Sequence, residues 1–405
     1  MIESVTIRPI LPDELDAVAY VRSIGFGGSE AESLAMLTGN PRYNFSHIII
    51  AEYQGEIIGS ATAFPVQMWL SGVPVNVGAV AGVTVLPEYR RNGIAAKMMR
   101  FCIMRMFAEG QALSVLFPFS HKYYNNFGYG VIGDVHAYRV NPNNLTVFEE
   151  GHKVRAFKPG DLQTMRVMYK GQLTWHNGWF TRSNEWWDKL VQRWPHIMVY
   201  DNDGYIEGYF SYEMNKGPKG ERELHIREFF AAEDAACRGL LGYLAAQNEA
   251  DVIEYLAPPN TPLRYALRQP IADGAENRGW VFNDLCHVTA GPMGRIINLS
   301  AALTARFYSR HMSGERVIRV KDSIIPTNEE PLQFRLVDGR AETRPSERKP
   351  QLETDIATMS QILCGYISAM DARRLSRLQA DEDTCSWFDH AIVDSPLYIQ
   401  TGDWF

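Results

Sequence analysis

Apolar and polar positions alternate from the start of the chain. Val5-Thr6-Ile7-Arg8 predicts a short strand, and residues 13–21 predict a helix. Two β-rich runs, residues 47–53 and 56–64, meet at Gln54-Gly55, a hairpin signal. A further strand-like run over residues 75–85 breaks at Leu86-Pro87-Glu88, because proline has no N–H to give to a ladder. Residues 94–108 contain good helix formers and no breaker. They are apolar on most faces, so that helix is expected to be largely buried. Residues 114–117 then predict a short strand. Strand, helix, hairpin, strand, helix, strand is the order of a mixed α/β layer fold.

The middle of the chain repeats this plan in degraded form. Runs 197–200 and 205–212 flank Asp201-Asn202-Asp203-Gly204, and a strand over 223–230 and a helix over 235–248 follow. Gly55-Glu56-Ile57-Ile58-Gly59 in the first hairpin has a counterpart in Gly204-Tyr205-Ile206-Glu207-Gly208, so an internal duplication is expected. From Met293 the character changes. Residues 295–308 predict a helix, 316–320 and 332–336 strands, and 355–370 a second helix. The chain ends Leu397-Tyr398-Ile399-Gln400-Thr401-Gly402-Asp403-Trp404-Phe405, which is apolar and aromatic where a terminus is normally polar and loose. That segment is expected to insert into the protein.

Composition narrows the function classes. With 46% hydrophobic and 21% charged residues over 405 positions, the chain has enough apolar material for several cores. No apolar run approaches the ~18 residues of a membrane span. The N-terminal residues lack the basic-then-apolar pattern of a signal peptide, so a cytoplasmic protein is expected. A net charge of −7 argues against a nucleic-acid partner and is compatible with a cationic substrate. The five cysteines are scattered and unpaired in spacing, and the ten histidines form no ligand motif. Reduced thiols and no metal are therefore expected.

The segment that carries chemistry is Val80-Ala81-Gly82-Val83-Thr84-Val85-Leu86-Pro87-Glu88-Tyr89-Arg90-Arg91-Asn92-Gly93-Ile94-Ala95. A strand runs into a basic, glycine-containing loop and a helix begins at once. Free N–H groups at a helix start, aided by the helix dipole, form an anion site. Gly93 lets the backbone approach a phosphate, Arg90 and Arg91 add charge, and the small Ala95 leaves room against the first turn. The sequence lacks the Gly-Lys-Ser/Thr ending of a Walker loop. Arg90-x-x-Gly93-x-Ala95 resembles the acetyl-CoA loop of the GNAT acetyltransferases. That resemblance implies that the pantetheine arm pairs with exposed backbone at Val83, Thr84 and Val85, and that the loop Arg90, Arg91, Asn92, Gly93, Ile94 and Ala95 holds the pyrophosphate. A tyrosine ahead of a Phe-Gly-Tyr motif is common in that family near the thioester sulfur. Here Tyr124, three residues before Phe127-Gly128-Tyr129, is the matching candidate general acid.

The whole chain resembles the Eis (enhanced intracellular survival) acetyltransferases. The likeness rests on Phe119-Ser120 leading to Tyr124-x-x-Phe127-Gly128-Tyr129-Gly130, on Trp186-Trp187, on Met293-x-Arg295-Ile296, and on the aromatic terminus ending in Phe405. It implies tandem GNAT-like mixed sheets flanked by helices, plus a C-terminal sterol-carrier-protein-like α/β domain. The divisions fall at 1–135, 136–290 and 291–405. It also implies acetyl-CoA as cosubstrate, with Ser120 added to its site, and amines of polycations such as aminoglycosides as acceptors. Further implications are a homo-hexamer and a terminal α-carboxylate, that of Phe405, acting as base in direct attack without an acyl-enzyme. The second domain has Ala231-Ala232-Glu233-Asp234-Ala235-Ala236 where a phosphate loop should lie, and two acids there would repel pyrophosphate. It is expected to bind no CoA. Phe26, Asp403 and Trp404 are candidates for the acceptor pocket, where rings and carboxylates suit a cation. A protein- or peptide-lysine acetyltransferase, and a lipid or CoA binder without turnover, are the alternatives.

Overall fold

The computed structural model describes residues 4–274, 277–278, 282–392 and 396–405. It divides into two compact units. One is drawn from Met1–Gly133, Pro292–Ser395 and Phe405, the other from Asp134–Gly291 and Pro396–Trp404.

In the first unit a seven-stranded sheet runs in the order Thr6–Pro9, Ile48–Tyr53, Glu56–Leu70, Val73–Val85, Leu113–Leu116, Met293–Ile296, Gly130–Val131. Strand alternation sorts its two faces. Ile49 and Ala51 join the core made by helix Ile94–Ala108, whose Met98, Met99, Cys102, Ile103 and Met106 are buried. Their neighbours Ile48 and Ile50 join the opposite core, with Val18 and Ala19 of helix Leu15–Phe26. A five-stranded sheet, ordered Arg340–Pro345, Leu332–Val337, Gly314–Lys321, Leu352–Asp355, Leu378–Gln379, completes this unit with its own helices.

Two expectations for this region are corrected. Residues 295–308 do not form one helix: Met293–Ile296 is a strand, paired antiparallel with Leu113–Leu116 on one side and Gly130–Val131 on the other. All four of its residues are buried. Packing between two strands overrides local propensity there, and the helix is confined to Leu299–Thr304, capped by Asn298. Residues 355–370 likewise divide into helices Ile356–Leu363 and Ala369–Arg374. Gly365, at φ +72°, turns the chain between them, and Asp355 and Ser368 cap their starts.

Arg295, on the inserted strand, ties this unit together. Its guanidinium is buried, contacts Asp322 at 2.7 and 2.8 Å, and donates to the Phe127 carbonyl. Asp322 also accepts from the Ile324 and Ile325 amides and from Asn328 Nδ2, at 3.0, 3.2 and 2.9 Å.

The second unit has a seven-stranded sheet ordered His287–Ala290, Asp134–Val140, Val252–Ala257, Arg222–Ala231, Tyr205–Lys216, His196–Asn202, Val154–Ala156. Each seven-stranded sheet has a parallel pair bridged by a crossover helix. These are Val73–Val85 with Leu113–Leu116 across Ile94–Ala108, and Arg222–Ala231 with Val252–Ala257 across Asp234–Ala245. The hairpin repeat noted in the sequence lies at the same place in both. Among the described residues, no helix is long and apolar enough to cross a membrane.

Replacing Arg295 by methionine leaves the Asp322 carboxylate buried without its cation. A loss of about 3–5 kcal/mol in unfolding free energy, read by urea denaturation, is the expected outcome.

Candidate active site

Pairing between the central parallel strands stops early. Val77↔Leu113 through Val80↔Leu116 are partnered, and beyond Val80 no described strand pairs with residues 81–85 on that edge. On the other edge the register against Glu56–Leu70 slips between Ser60 and Thr62, so that Gly82 and Val83 together oppose Ala61. This is a β-bulge, which bends and re-aims a strand. The Leu86 amide donates to the Ile58 carbonyl at 2.9 Å, which sets the phase of the strand. Thr84 therefore faces the hairpin, while the peptide groups of Val83 and Val85 face the open edge. The Val85 carbonyl takes a 2.9 Å hydrogen bond from Arg90 Nε.

The loop beyond is shaped by positive φ angles, +65° at Arg91 and +78° at Gly93. Gly93 is the N-cap of helix Ile94–Ala108 and provides no side chain to bond the first-turn amides. A Cβ placed on it would meet nothing within 4 Å. Arg90, Arg91 and Gly93 are exposed, and Ala95 is half-buried. Asn92 turns inward, its Nδ2 donating to the Tyr89 and Arg90 carbonyls at 3.2 Å each. The Ile94 side chain is core. An open strand edge leading to bare helix amides and two arginines fits an extended arm ending in a pyrophosphate.

Tyr124 lies on the short helix His121–Asn125. Ser120 caps that helix, its Oγ accepting from the Tyr123 amide at 3.3 Å. The Tyr124 ring is buried among Phe119, Tyr123 and Tyr129, with centroids 5.2, 5.1 and 6.1 Å away. Burial raises its pKa above the ordinary tyrosine value, with Tyr123 and Tyr129 adding to the effect. Tyr123 is pushed up to about 12 by burial. Tyr129 is a core residue, its hydroxyl 2.7 Å from Ser114 Oγ.

Phe405 packs edge-on against Phe64 and Phe117, at 5.6 and 5.4 Å. Phe117 begins the segment Phe117-Pro118-Phe119 that leaves strand Leu113–Leu116 where its partner diverges. Phe405 contacts one end of that segment and Tyr124 the other. Phe26, 62% exposed, ends helix Leu15–Phe26 in this unit. Asp403 does not take the pocket position expected for it. It is fully buried in the second unit, bonded to Arg182 Nε and Nη2 and to the Trp186 indole, at 2.8 to 3.0 Å. Arg182 also binds Glu228 at 2.6 and 2.9 Å. Burial works against the charge on Arg182, but Asp403 and Glu228 outweigh it and its pKa rises. Trp404 donates its indole N–H to the Ile399 carbonyl at 3.1 Å.

The equivalent opening in the second unit is filled. Its parallel pair is in register from Glu223↔Val252 to Ile226↔Tyr255. Beyond that point Thr401 donates to the Arg227 carbonyl and Tyr398 to the Leu256 carbonyl. The terminal segment thus fills the place where the first sheet stays open. Glu223, His225 and Glu254 have metal-compatible spacing, but Arg139 already bonds both glutamates.

Arg22 is a residue that sequence reasoning missed, because one arginine on a helix carries no signal. It lies deep against the sheet, its Nε 3.2 Å from Ser60 Oγ and its Nη2 bonded to Thr62 Oγ1. Its guanidinium fills the space a Cβ of Gly82 would need, 2.7 Å from Nη2. Burial lowers its pKa, against the raising influence of Tyr43.

Residues 6–132 match an acetyltransferase (GNAT) domain, residues 178–296 a second acetyltransferase (GNAT) domain, and residues 299–400 a sterol carrier protein domain. With the mixed sheets around the open strand pair, these matches make the chain a GNAT-type N-acetyltransferase. Two Streptomyces griseus proteins named as uncharacterised N-acetyltransferases are each 23% identical over 355 residues, covering 79% of this chain and 80% of their own. Among solved structures, a GCN5-related N-acetyltransferase from Anabaena variabilis superposes with a TM-score of 0.88 at 17% identity. Eis1 from Mycobacterium abscessus superposes with 0.79 at 20% identity. Each match covers 99% of this chain and 100% of the other. At these identities the likeness is one of fold.

Gly82 sits at φ +59° with the guanidinium against it. Gly82→Ala is expected to cost about 1–3 kcal/mol of stability in chemical denaturation and to weaken acetyl-CoA binding, measured by calorimetry, as the bulge is displaced.

Proposed function

We propose that the protein moves the acetyl group of acetyl-CoA to the amine of a cationic small molecule at the open edge of the first sheet. The observation that carries this reading is the end of strand pairing at Val80 and Leu116, with Tyr124 and Phe405 both packed on the segment that leaves it. Acetyl-CoA supplies an activated acyl group. Val83 and Val85 bind its arm through their backbone, and Arg90, Arg91 and the amides after Gly93 hold its phosphates. Tyr124 gives a proton to the departing sulfur. Burial keeps that phenol protonated at neutral pH, so it enters each turnover as an acid. The α-carboxylate of Phe405 orients the acceptor ammonium and takes its proton, directly or through water, since an amine near the lysine pKa is otherwise protonated and inert. The second domain, its opening filled and two acids at its helix start, is assigned no CoA. The Eis resemblance and the net charge of −7 support polycationic acceptors, aminoglycosides among them, and the same resemblance supports a hexamer.

The deciding experiment is free-CoA release by untagged protein with aminoglycosides, polyamines and lysine peptides. Turnover with the first two supports the reading; turnover with peptides alone moves the protein to lysine acetylation. Tyr124→Phe is expected to lower kcat by about 10²- to 10⁴-fold with little change in acetyl-CoA affinity. Because the Tyr124 pKa is raised, kcat/KM with wild type should show no alkaline fall from this group below about pH 10. One added residue after Phe405 moves the carboxylate and should abolish most turnover; full activity in that variant eliminates the terminal base.

A further inference from the structure

Arg22 has no acidic partner. Among the described residues its guanidinium meets the hydroxyls of Ser60 and Thr62, with Tyr43 beside it, and no carboxylate within ion-pair distance. Of the other buried arginines, Arg182 and Arg295 each hold an acid at hydrogen-bond distance. Arg306, which has none among the described residues, donates to the Phe307 and Leu363 carbonyls and to Ser71 Oγ, whereas Arg22 bonds hydroxyls and no carbonyl. Arg22 nevertheless retains some open surface. Bonds from Nε to Ser60 and from Nη2 to Thr62, with Tyr43 taking one more, leave at least two guanidinium N–H groups for a further acceptor. A cation taken this far out of water is costly unless an anion meets it.

Its position adds to this. The guanidinium lies against Gly82 in the bulge that opens the strand edge. Tyr43, beside Arg22, packs on Phe64 at 5.2 Å, and Phe64 is the ring on which Phe405 rests. Arg42 lies over the same Phe64 ring at 5.4 Å. Arg22 and Arg42 therefore both lie on the sheet face that carries Thr62 and Phe64.

We infer that Arg22 is a specificity-determining residue that binds a carboxylate on the acceptor, so that the preferred acceptors are small molecules bearing both an amine and a carboxylate. This rests on the proposed acetyl transfer at this edge and narrows its acceptor class. The planar guanidinium fork matches a carboxylate with two parallel N–H···O bonds. It holds the acid end of the acceptor while the amine end meets the Phe405 carboxylate. Aminoglycosides lack an anion, leave Arg22 uncompensated, and are the weaker acceptors on this account.

The test uses untagged full-length protein saturated with CoA, titrated calorimetrically with lysine and with lysinamide, which differ in the carboxylate. Lysine is expected to bind about 10- to 100-fold more tightly. Arg22→Met should bring lysine down to the level of lysinamide and leave lysinamide unchanged, and Arg22→Lys should restore only part of the difference. Without ligand, Arg22→Met should melt no lower than wild type, since it removes an uncompensated buried charge; a clear fall in Tm would make Arg22 a structural residue and overturn the proposal. Equal binding of the two probes, binding of neither, or an equal loss of both in Arg22→Met overturns it too. Free-CoA release separates this from the parent reading. Lysine preference without turnover of any amine sinks acetyl transfer alone, and turnover without lysine preference sinks the subsite alone.

Discussion

The loss of hydrogen bonding between Val73–Val85 and Leu113–Leu116 past Val80 is the constraint on which the proposed function and much of the first unit depend. A sheet interior normally leaves no backbone group unpaired, because each orphaned peptide group costs as much as a lost hydrogen bond. Here the strands part, and the gap is maintained by features on both sides. The bulge at Gly82 turns one strand away, and the Phe117-Pro118-Phe119 segment carries the other into the aromatic cluster around Tyr124 and Phe405. Arg295 fixes the far side through the Phe127 carbonyl, three residues beyond the Tyr124 ring. The peptide groups of Val83 and the N–H of Val85 face that gap and suit a ligand with amides of its own, while the Val85 carbonyl is held by Arg90 Nε.

The two seven-stranded sheets show one architecture put to opposite uses. Both have a parallel pair bridged by a helix, and both pairs part at a similar depth. In the second, the chain's own terminal segment is bonded into the gap and locked by Asp403, Arg182 and Glu228. A carboxylate two positions from the end thus serves as an anchor rather than as a pocket acid.

Much of this was legible in the sequence, for physical reasons that differ from element to element. Helix Ile94–Ala108 was readable because Gly93 and Pro87 punctuate its start and its composition has no breaker. The hairpins were readable from Gln54-Gly55 and Asp203-Gly204, whose positive φ angles need such residues. The aromatic terminus was readable as an inserted segment, but the lodging of residues 396–404 in the second unit was not. Asp403 looked like a pocket acid because only the folded chain brings Arg182, 221 residues away, to its side. Met293–Ile296 was misread because a four-residue strand has too little pattern to compete with the helix formers that follow. Arg22 carried no signal at all: its meaning lies in what surrounds it.

That inserted strand has a consequence for how the protein comes off the ribosome. Leu113–Leu116 and Gly130–Val131 are complete early in synthesis, yet the strand that joins them is Met293–Ile296. Until that stretch emerges, the first sheet has an unfinished row of peptide groups along Leu113–Leu116, a template for wrong pairing. The second domain is thus an insertion into the first in the order of folding. It must reach its own structure while the first sheet waits for its last strand.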